Sequence, residues 1–569
     1  MAESFIIAID FGTAYSGYAY NITSIEGEID PMLKKWGKEH GLETPKTPTS
    51  ILFDEHGEFM KFGYEAKTAY IKMRGEDAKK HYFFENFKMA LYDRKLVRDV
   101  TIKAANGKEM TALKVFTEAL RFLKEDALKT ISSNVAGLQF LASDFNWVLT
   151  VPAIWDPSAK QFMREAATEA GIVTEDTEEK LIIALEPEAA SVWCKKLPSD
   201  GFITPNHNRD SLDESPGTQY IVVDCGGGTI DITVHEVLEG GALKELHKAS
   251  GNDLGGQTVD KKFKEFLGEI FCDGVWDEYE KNYPSEVHKM MYDFTRLKQV
   301  DEDVQITCPY NLGKLAQKKK EIEDFFKSVE GAFWNEGSIR ISKEKMRFFF
   351  AESLKGITES LNEIFKKDFR IEFILLVGGY AGSQILRQHI FDQFADKCKV
   401  LCPFRAQEAI VKGAVQFGKN PELVASRKSA YTYGTEIAEM FDQSKHKAEK
   451  KFLADGREMC GDVFMKLVSE GDDVSWDEIK EHTLYAVEAE QTAMSLTFFR
   501  TERQNVKYVD EWGVEEVASF EVDMPIVKGG RKREVKLQIK FGSTEITATA
   551  TDMASLSKGS VKIDFMTKS

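Results

Sequence analysis

In IVVDCGGGTIDITV (221–234) an apolar, β-branched run is broken by three consecutive glycines, with an aspartate on each side of them. Glycine weakens a strand interior, so glycines at that point mark a turn or a close approach of the backbone to something else. FIIAIDFGTAYSGYAY (5–20) repeats the order: an apolar run, Asp10, a glycine, Thr13, then a second β-rich run. In both stretches a buried strand delivers an aspartate to its C-terminal end, a glycine-bearing turn follows, and a second strand returns. The tip of such a hairpin offers a carboxylate and bare amide N–H groups, and glycine lets that main chain wrap an anion. A carboxylate beside a phosphate would repel it unless a divalent cation stood between them, and Mg²⁺ suits oxygen ligands and phosphate together. Two hairpins facing each other would grip a polyphosphate from both sides. One copy alone could be a turn with a solvent-facing aspartate; two copies in the same strand, Asp, Gly, Thr order favour the grip.

A third glycine signal lies in IEFILLVGGYAGSQILRQHIFDQF (371–394). Phe373 to Val377 predict a buried strand, Gly378-Gly379 a tight turn, and Ile385 onward an amphipathic helix. A strand, a glycine turn and a helix N-terminus make a corner into which free N–H groups and the positive end of the helix dipole point. A βα turn also carries glycine for purely steric reasons, so this corner gains meaning only beside the two hairpins.

The rest of the chain limits the company such a site can keep. With 569 residues, 42% hydrophobic and 30% charged, it is ordinary globular material, enough for roughly three or four domain-sized units. A formal charge of −18 argues against general affinity for nucleic acid or anionic lipid. Seven cysteines, mostly far apart, form no disulfide framework, and Cys398 and Cys402 lack the second half of a zinc site. The N-terminus has no basic region before an apolar one, and no apolar stretch is long enough to span a bilayer. A cytoplasmic protein is expected, with no membrane span and no nucleic-acid partner.

The three segments, in this order, resemble the phosphate-1, phosphate-2 and adenosine motifs of the actin, sugar-kinase and 70-kDa heat-shock ATPase superfamily. KFGYEAK (61–67), VPAIWDPSAKQFMREAATEAGI (151–172), ALEPEAASVW (184–193), GNDLGGQTVDKKF (251–263) and QEAIVKGAVQFG (407–418) match the heat-shock members in type and order. The resemblance spans essentially the whole chain and is most similar to the divergent branch named heat shock 70 kDa protein 12. It implies an α/β fold: a two-lobed actin-like ATPase domain over 1–420, with lobe I about 1–195 and lobe II about 218–375, the nucleotide lying between them. Strand-like runs at 5–10, 147–151, 220–224 and 373–377 alternating with helical patterns at 159–171 and 384–395 agree with that order. The region 257–350 would form a helical subdomain over the base, and 198–217 a long surface loop.

The same resemblance assigns roles. Asp10 and Asp224 would hold Mg²⁺, with Glu186 and Asp231 orienting its water shell. Gly12, Thr13, Ala14 and Tyr15 on one side, and Gly226, Gly227, Gly228 and Thr229 on the other, would contact the phosphates of ATP or ADP. Gly255, Gly256, Lys298, Gly378, Gly379 and Tyr380 would complete the nucleotide site. Lys67 would position the attacking water, so Lys67, Glu186, Asp224 and Thr229 form the catalytic set; a surface-helix lysine and a carboxylate at a helix N-terminus are the plainer readings of Lys67 and Glu186. The base pocket departs from the family pattern: Tyr380 and Gly382 replace a serine and an arginine, and Gln407 replaces an aspartate. Tyr380 could restore some of the lost stacking on the base.

Beyond about residue 420, short alternating runs separated by turn residues predict an antiparallel β-sandwich over 421–569, with a hairpin about Gly542-Ser543. This resembles the β-subdomain of the family's peptide-binding half. No helical lid is expected after it, and GKNPELVASRKSAYTYG stands where the resemblance would put an acidic, leucine-rich linker. Arg531-Lys532-Arg533 predicts a solvated basic turn. Three functions compete: a slowly ATP-hydrolysing chaperone-like protein whose β-domain engages unfolded or extended protein segments; a nucleotide-controlled interaction or scaffold protein acting on a regulatory partner; and a small-molecule kinase, disfavoured by the β-rich extension and the Lys67 segment.

Overall fold

The computed structural model describes residues 5–22, 30–73, 76–92, 96–97, 99–134, 138–204, 210–476, 478–541 and 546–562. Its two large sheets repeat one plan. In the first, strand Phe5–Phe11 lies between its antiparallel hairpin partner Tyr15–Asn21 and the parallel strand Phe145–Val151, beyond which runs Leu181–Leu185. In the second, Gln219–Cys225 lies between its hairpin partner Ile230–Val237 and the parallel strand Ile371–Val377, followed by Lys399–Pro403. Register places Asp10 beside Thr150 and Asp224 beside Val377. Both aspartate strands are buried on both faces, which is why each reads as a continuous apolar run rather than an alternating one.

A helical layer joins the two sheets. Helices Glu186–Cys194 and Ala406–Lys419 share one apolar cluster with Ile6, Val148, Val222 and Leu375. Gly413 permits their approach, since a Cβ there would fall 1.6 Å from the Ala189 carbonyl oxygen. The segment 407–418 thus packs on the first sheet although it follows the second in sequence. The region expected to be helical contains helices Gly256–Ile270, Pro284–Leu297 and Lys343–Phe365, and also a small sheet of Val304–Thr307, Ala332–Asn335 and Ser338–Ile341. Within the expected loop 198–217, Phe202–Ile203 pairs with Cys402–Pro403; residues 205–209 lie outside the described residues.

The C-terminal region forms two antiparallel sheets. One orders Lys451–Ala454, Arg457–Val468, Thr432–Met440, Ala493–Thr501 and Glu515–Asp523; the other Glu478–Tyr485, Glu534–Phe541, Ile546–Asp552 and Lys558–Lys562. Leu467, Leu496 and Phe498 of the first share a cluster with Val535, Leu537 and Ala548 of the second. Gly542-Ser543 lies outside the described residues, but the flanking strands pair as a hairpin would, Phe541 against Ile546. The segment in place of the expected linker is no free tether: Val424–Lys428 pairs in parallel with Leu243–Asn252, and Asp473–Ser475 pairs with it in turn. The second lobe's sheet therefore runs on into the C-terminal region.

The basic turn differs from expectation at one residue. Arg533 is buried, 4% exposed, and donates to the carbonyls of Gly530, Met524, Ile526 and Ala489. A planar guanidinium with five donors fits a ring of carbonyls that a solvated lysine would not fill. All seven cysteines are free thiols, and no described helix is long and apolar enough to cross a membrane.

Candidate phosphate and nucleotide cleft

The two hairpin tips meet across the cleft. A Cβ on Gly227 would fall 2.8 Å from the Ala14 Cβ, and one on Gly228 would fall 2.9 Å from Thr13 Oγ1. Side chains at either glycine would wedge the tips apart. Thr49 steadies the first tip: its hydroxyl donates to the Gly12 carbonyl at 2.7 Å and its amide to the Ala14 carbonyl at 2.8 Å. Helix Gly256–Ile270 steadies the second. The amides of Gly255, Gly256 and Gln257 donate to the carbonyls of Gly228, Gly226 and Gly227 at 3.1, 3.1 and 2.8 Å. The orphan donors of a helix N-terminus are spent on the loop's carbonyls, while the N–H groups of Gly227 and Gly228 have no acceptor among the described residues. Gly255 and Gly256 thus stand behind the loop as its support, and the amides of Gly227 and Gly228 are the loop donors left open at the tip.

Around these tips the structure brings Asp10, Glu186, Asp224 and Asp231 together, all buried. Asp10 accepts from Lys46 Nζ at 2.5 Å and from Thr150 Oγ1 at 3.0 Å. Glu186 accepts from Lys88 Nζ at 2.8 Å, and that ammonium lies 5.0 Å from the Trp155 ring centre. Asp231 accepts from the Ile154 amide at 2.9 Å and from Thr229 Oγ1 at 2.8 Å. Asp224 is the exception, because its Oδ1 is buried without a hydrogen-bond partner among the described residues. Gly378 faces it in a left-handed conformation, φ +88°, where a Cβ would fall 2.3 Å from that oxygen.

Burial raises the Asp224 carboxyl well above the usual range, and the charges of Glu186, Asp231 and Asp10 raise it further. Burial and then Glu186 push Asp231 up to about 6 against its two hydrogen bonds. Glu186 is raised as well, by burial and Asp10, with Lys88 opposing. Glu186, Asp224 and Asp231 thus resist ionisation, and a further cation placed among them would ease it.

The donor set fits a hydrated magnesium ion better than a directly caged one. Among the described residues no three carboxylate, imidazole or thiolate side chains converge on one point, and only Asp224 presents an uncommitted buried oxygen aimed at the cluster. Mg²⁺ keeps several waters and takes one or two carboxylates plus phosphate oxygens, which this arrangement allows.

The other expected residues lie outside the carboxylate cluster, some of them beside the first tip. A cleft of about 740 Å³ is lined by Ala14, Tyr15, Lys67, Glu85, Gln257 and Asp260 among others. Lys67 stands apart from the acid cluster: it pairs with Glu85 at 3.2 Å and lies 4.9 Å from the Tyr292 ring. Burial alone would raise the Glu85 carboxyl, but Lys67 and then His288, at 2.6 Å, hold it well below the carboxylate range. Lys298 donates to the Gly256 carbonyl at 2.6 Å and to Asp260 at 2.7 Å. Tyr380 is buried, packed on Phe350 and against Gly256, and Gly379 has open space where a side chain would stand.

Sequence reading missed Lys46, Lys88 and Thr150, and gave residues 154–156 of the matched segment 151–172 no role at the site. Lys88 did leave a signal. In FENFKMAL it sits among Phe87, Met89 and Leu91, and a lysine inside an apolar run needs a counter-charge if it is buried. The loop at 154–156 touches both halves of the molecule: Ile154 holds Asp231, Trp155 covers Lys88, and Asp156 accepts from Arg500 at 3.1 Å and Tyr431 at 3.0 Å in the C-terminal region.

A family model described as Hsp70 protein matches residues 71–419. Heat shock 70 kDa protein 12A from Homo sapiens is 34% identical over 620 residues, a match covering 99% of this chain and 91% of that protein. Heat shock 70 kDa protein 12B from Homo sapiens is 32% identical over 630 residues, with the same coverage. Chaperone protein DnaK from Mycoplasmopsis synoviae (strain 53) is 26% identical over 381 residues, covering 67% of this chain and 52% of that protein.

Proposed function

The chain belongs to the Hsp70 protein family, and from that premise we propose that it binds ATP between its two aspartate hairpins, hydrolyses it slowly, and passes the nucleotide state to its β-rich C-terminal region. The observation that carries this reading is the facing pair of glycine tips with four carboxylates gathered beneath them. We take 1–420 as the nucleotide-binding domain, and 421–569 as a β-sandwich that engages unfolded or extended protein segments.

Hydrolysis at a γ-phosphate requires positioning and charge stabilisation more than covalent chemistry. Magnesium, when bound, would neutralise phosphate charge beside Asp224. The amides of Gly227 and Gly228 and the hydroxyl of Thr13 would hold the phosphate oxygens from opposite sides. Thr229, fixed by Asp231, would set the loop's depth. Lys67 lines the cleft beside Tyr15 and would exchange Glu85 for a phosphate oxygen to orient the attacking water. The altered corner at Gly379 and Tyr380, with Lys298 already satisfied by Asp260, makes the base a weaker determinant than the phosphates.

A second reading, a nucleotide-controlled interaction protein without client refolding, is favoured by the docked segment 424–428. Arg427 grips both oxygens of Glu188 at 2.6 Å, two residues beyond Glu186 of the acid cluster, and Lys428 donates its amide to Glu245 at 2.8 Å. Calorimetry with Mg-ATP, Mg-ADP and Mg-GTP, beside single-turnover hydrolysis in wild type and Lys67→Ala, tests the first reading: adenine nucleotide binding and a slowed variant are expected. Binding without turnover would leave the interaction reading. An absence of nucleotide binding would remove both.

A further inference from the structure

Two ammonium groups stand inside the carboxylate cluster, and neither is there by chance of rotamer. Lys46 and Lys88 are buried, 8% and 1% exposed, and a buried ammonium persists only with its counter-charge in place. The backbone fixes where each can reach. Lys46 precedes Thr47–Pro48, which pairs with Tyr15 and Ser16 of the first hairpin, and its stem lies where a Cβ on Gly17 would meet it at 3.1 Å. Lys88 rides on Phe87–Leu91, whose Met89 sulfur lies 4.0 Å from Thr13 Oγ1 and would collide with any side chain on Gly228. Both cations are therefore carried on segments packed directly against the phosphate tips.

Their partners are two of the carboxylates that a nucleotide-bound metal would otherwise have to itself. Lys46 occupies Asp10, Lys88 occupies Glu186, and together they halve the formal charge the four acids would carry if ionised. We propose that Lys46 and Lys88 are built-in cations of the phosphate site, taking over part of the neutralisation that a divalent ion supplies, so that the chain holds a nucleoside polyphosphate with little dependence on Mg²⁺. This rests on the nucleotide-binding reading above. Lys67, paired with Glu85 outside the cluster, has no part in it.

The physical case is one of competition for the same oxygens. A divalent ion entering beside Asp10 or Glu186 must displace an ammonium already within hydrogen-bond distance, while a polyphosphate entering between the tips meets a cluster whose formal negative charge those two ammonium groups have already halved, in a water-poor space where Coulomb interactions are several times stronger than in water. Lysine serves as a compact point charge toward phosphate. Asp224, with its free oxygen, remains to face whatever hydrated cation accompanies the ligand.

The test is calorimetric titration of ATP, and separately of inorganic tripolyphosphate, in excess Mg²⁺ and in EDTA. Wild type should lose no more than about tenfold in affinity on chelation. Lys88→Met and Lys46→Met should each lose on the order of a hundredfold, and Lys88→Arg should behave as wild type. If Lys88→Met fails to fold because Glu186 is left unpaired, Lys46→Met gives the same readout through Asp10. A wild type as magnesium-dependent as the methionine variants overturns the proposal. Failure of wild type to bind ATP even with Mg²⁺ overturns the nucleotide reading on which it rests.

Discussion

The two hairpins share a plan and differ in their electrostatics. Asp10 and Asp224 occupy equivalent places, each ending a central strand beside a parallel neighbour. Asp10 has both oxygens engaged, by an ammonium and a hydroxyl. Asp224 keeps one oxygen without a partner, in a pocket that only a glycine at 378 permits. A fold repeated within one chain can thus divide its labour, with one carboxylate neutralised at rest and holding the hairpin in place, and the other left under strain for a ligand to relieve. An unsatisfied buried carboxylate is costly, and functional sites are where such costs are tolerated.

The comparison can be broken most sharply at Asp10. Asp10→Ala leaves the Lys46 ammonium buried without its counter-charge, and urea denaturation should show a loss of about 3–5 kcal/mol. Next in size is Gly378→Ala, which forces an L residue into φ +88° and a Cβ onto the Asp224 carboxylate; a loss of about 2–3 kcal/mol is expected, with nucleotide affinity falling alongside.

The pH dependence follows from Asp231, whose carboxyl rises from 3.8 to about 6 on folding. A raised folded-state value means that its contribution is fully present below the unfolded value and is lost as pH rises to about 6. The stability of Asp231→Asn relative to wild type should therefore climb by on the order of 2 kcal/mol between pH 4 and pH 7, both without ligand; a flat difference would show that the cluster does not resist ionisation. The smallest effect has the opposite sign to that at Asp10. Asp224→Asn replaces a carboxyl that burial and its acidic neighbours make costly to ionise, so the ligand-free protein should gain about 1 kcal/mol, on the order of one degree in Tm for a chain of this length, while ATP affinity drops at least about tenfold. Equal destabilisation at positions 10 and 224 would erase the distinction between the hairpins.

How much of this was legible in the sequence depended on whether the signal was local. The strands and glycine turns were legible because burial on both faces writes an unbroken apolar run, and because positive φ and close approach demand glycine. Asp10 and Asp224 were legible because each closes such a strand, whereas Glu186 at a helix start and Asp231 near a strand start were assigned by resemblance. Lys46 was not, and Lys88 left only the hint of a buried lysine in an apolar run, since their partners lie 36 and 98 residues away in sequence and nothing local names the partner of a long-range ion pair. The same holds for Arg427 on Glu188, 239 residues apart, which fixes an apparent linker as a strand between Leu243–Asn252 and Asp473–Ser475. Arg533 was misjudged for a related reason: its acceptors are carbonyls, which the sequence does not display.

The most direct measurement is amide hydrogen exchange with and without Mg-ATP. The account predicts that peptides covering 10–16 and 224–231 gain protection together, because one polyphosphate is gripped by both tips. Protection confined to one hairpin, or appearing only elsewhere in the chain, would contradict it.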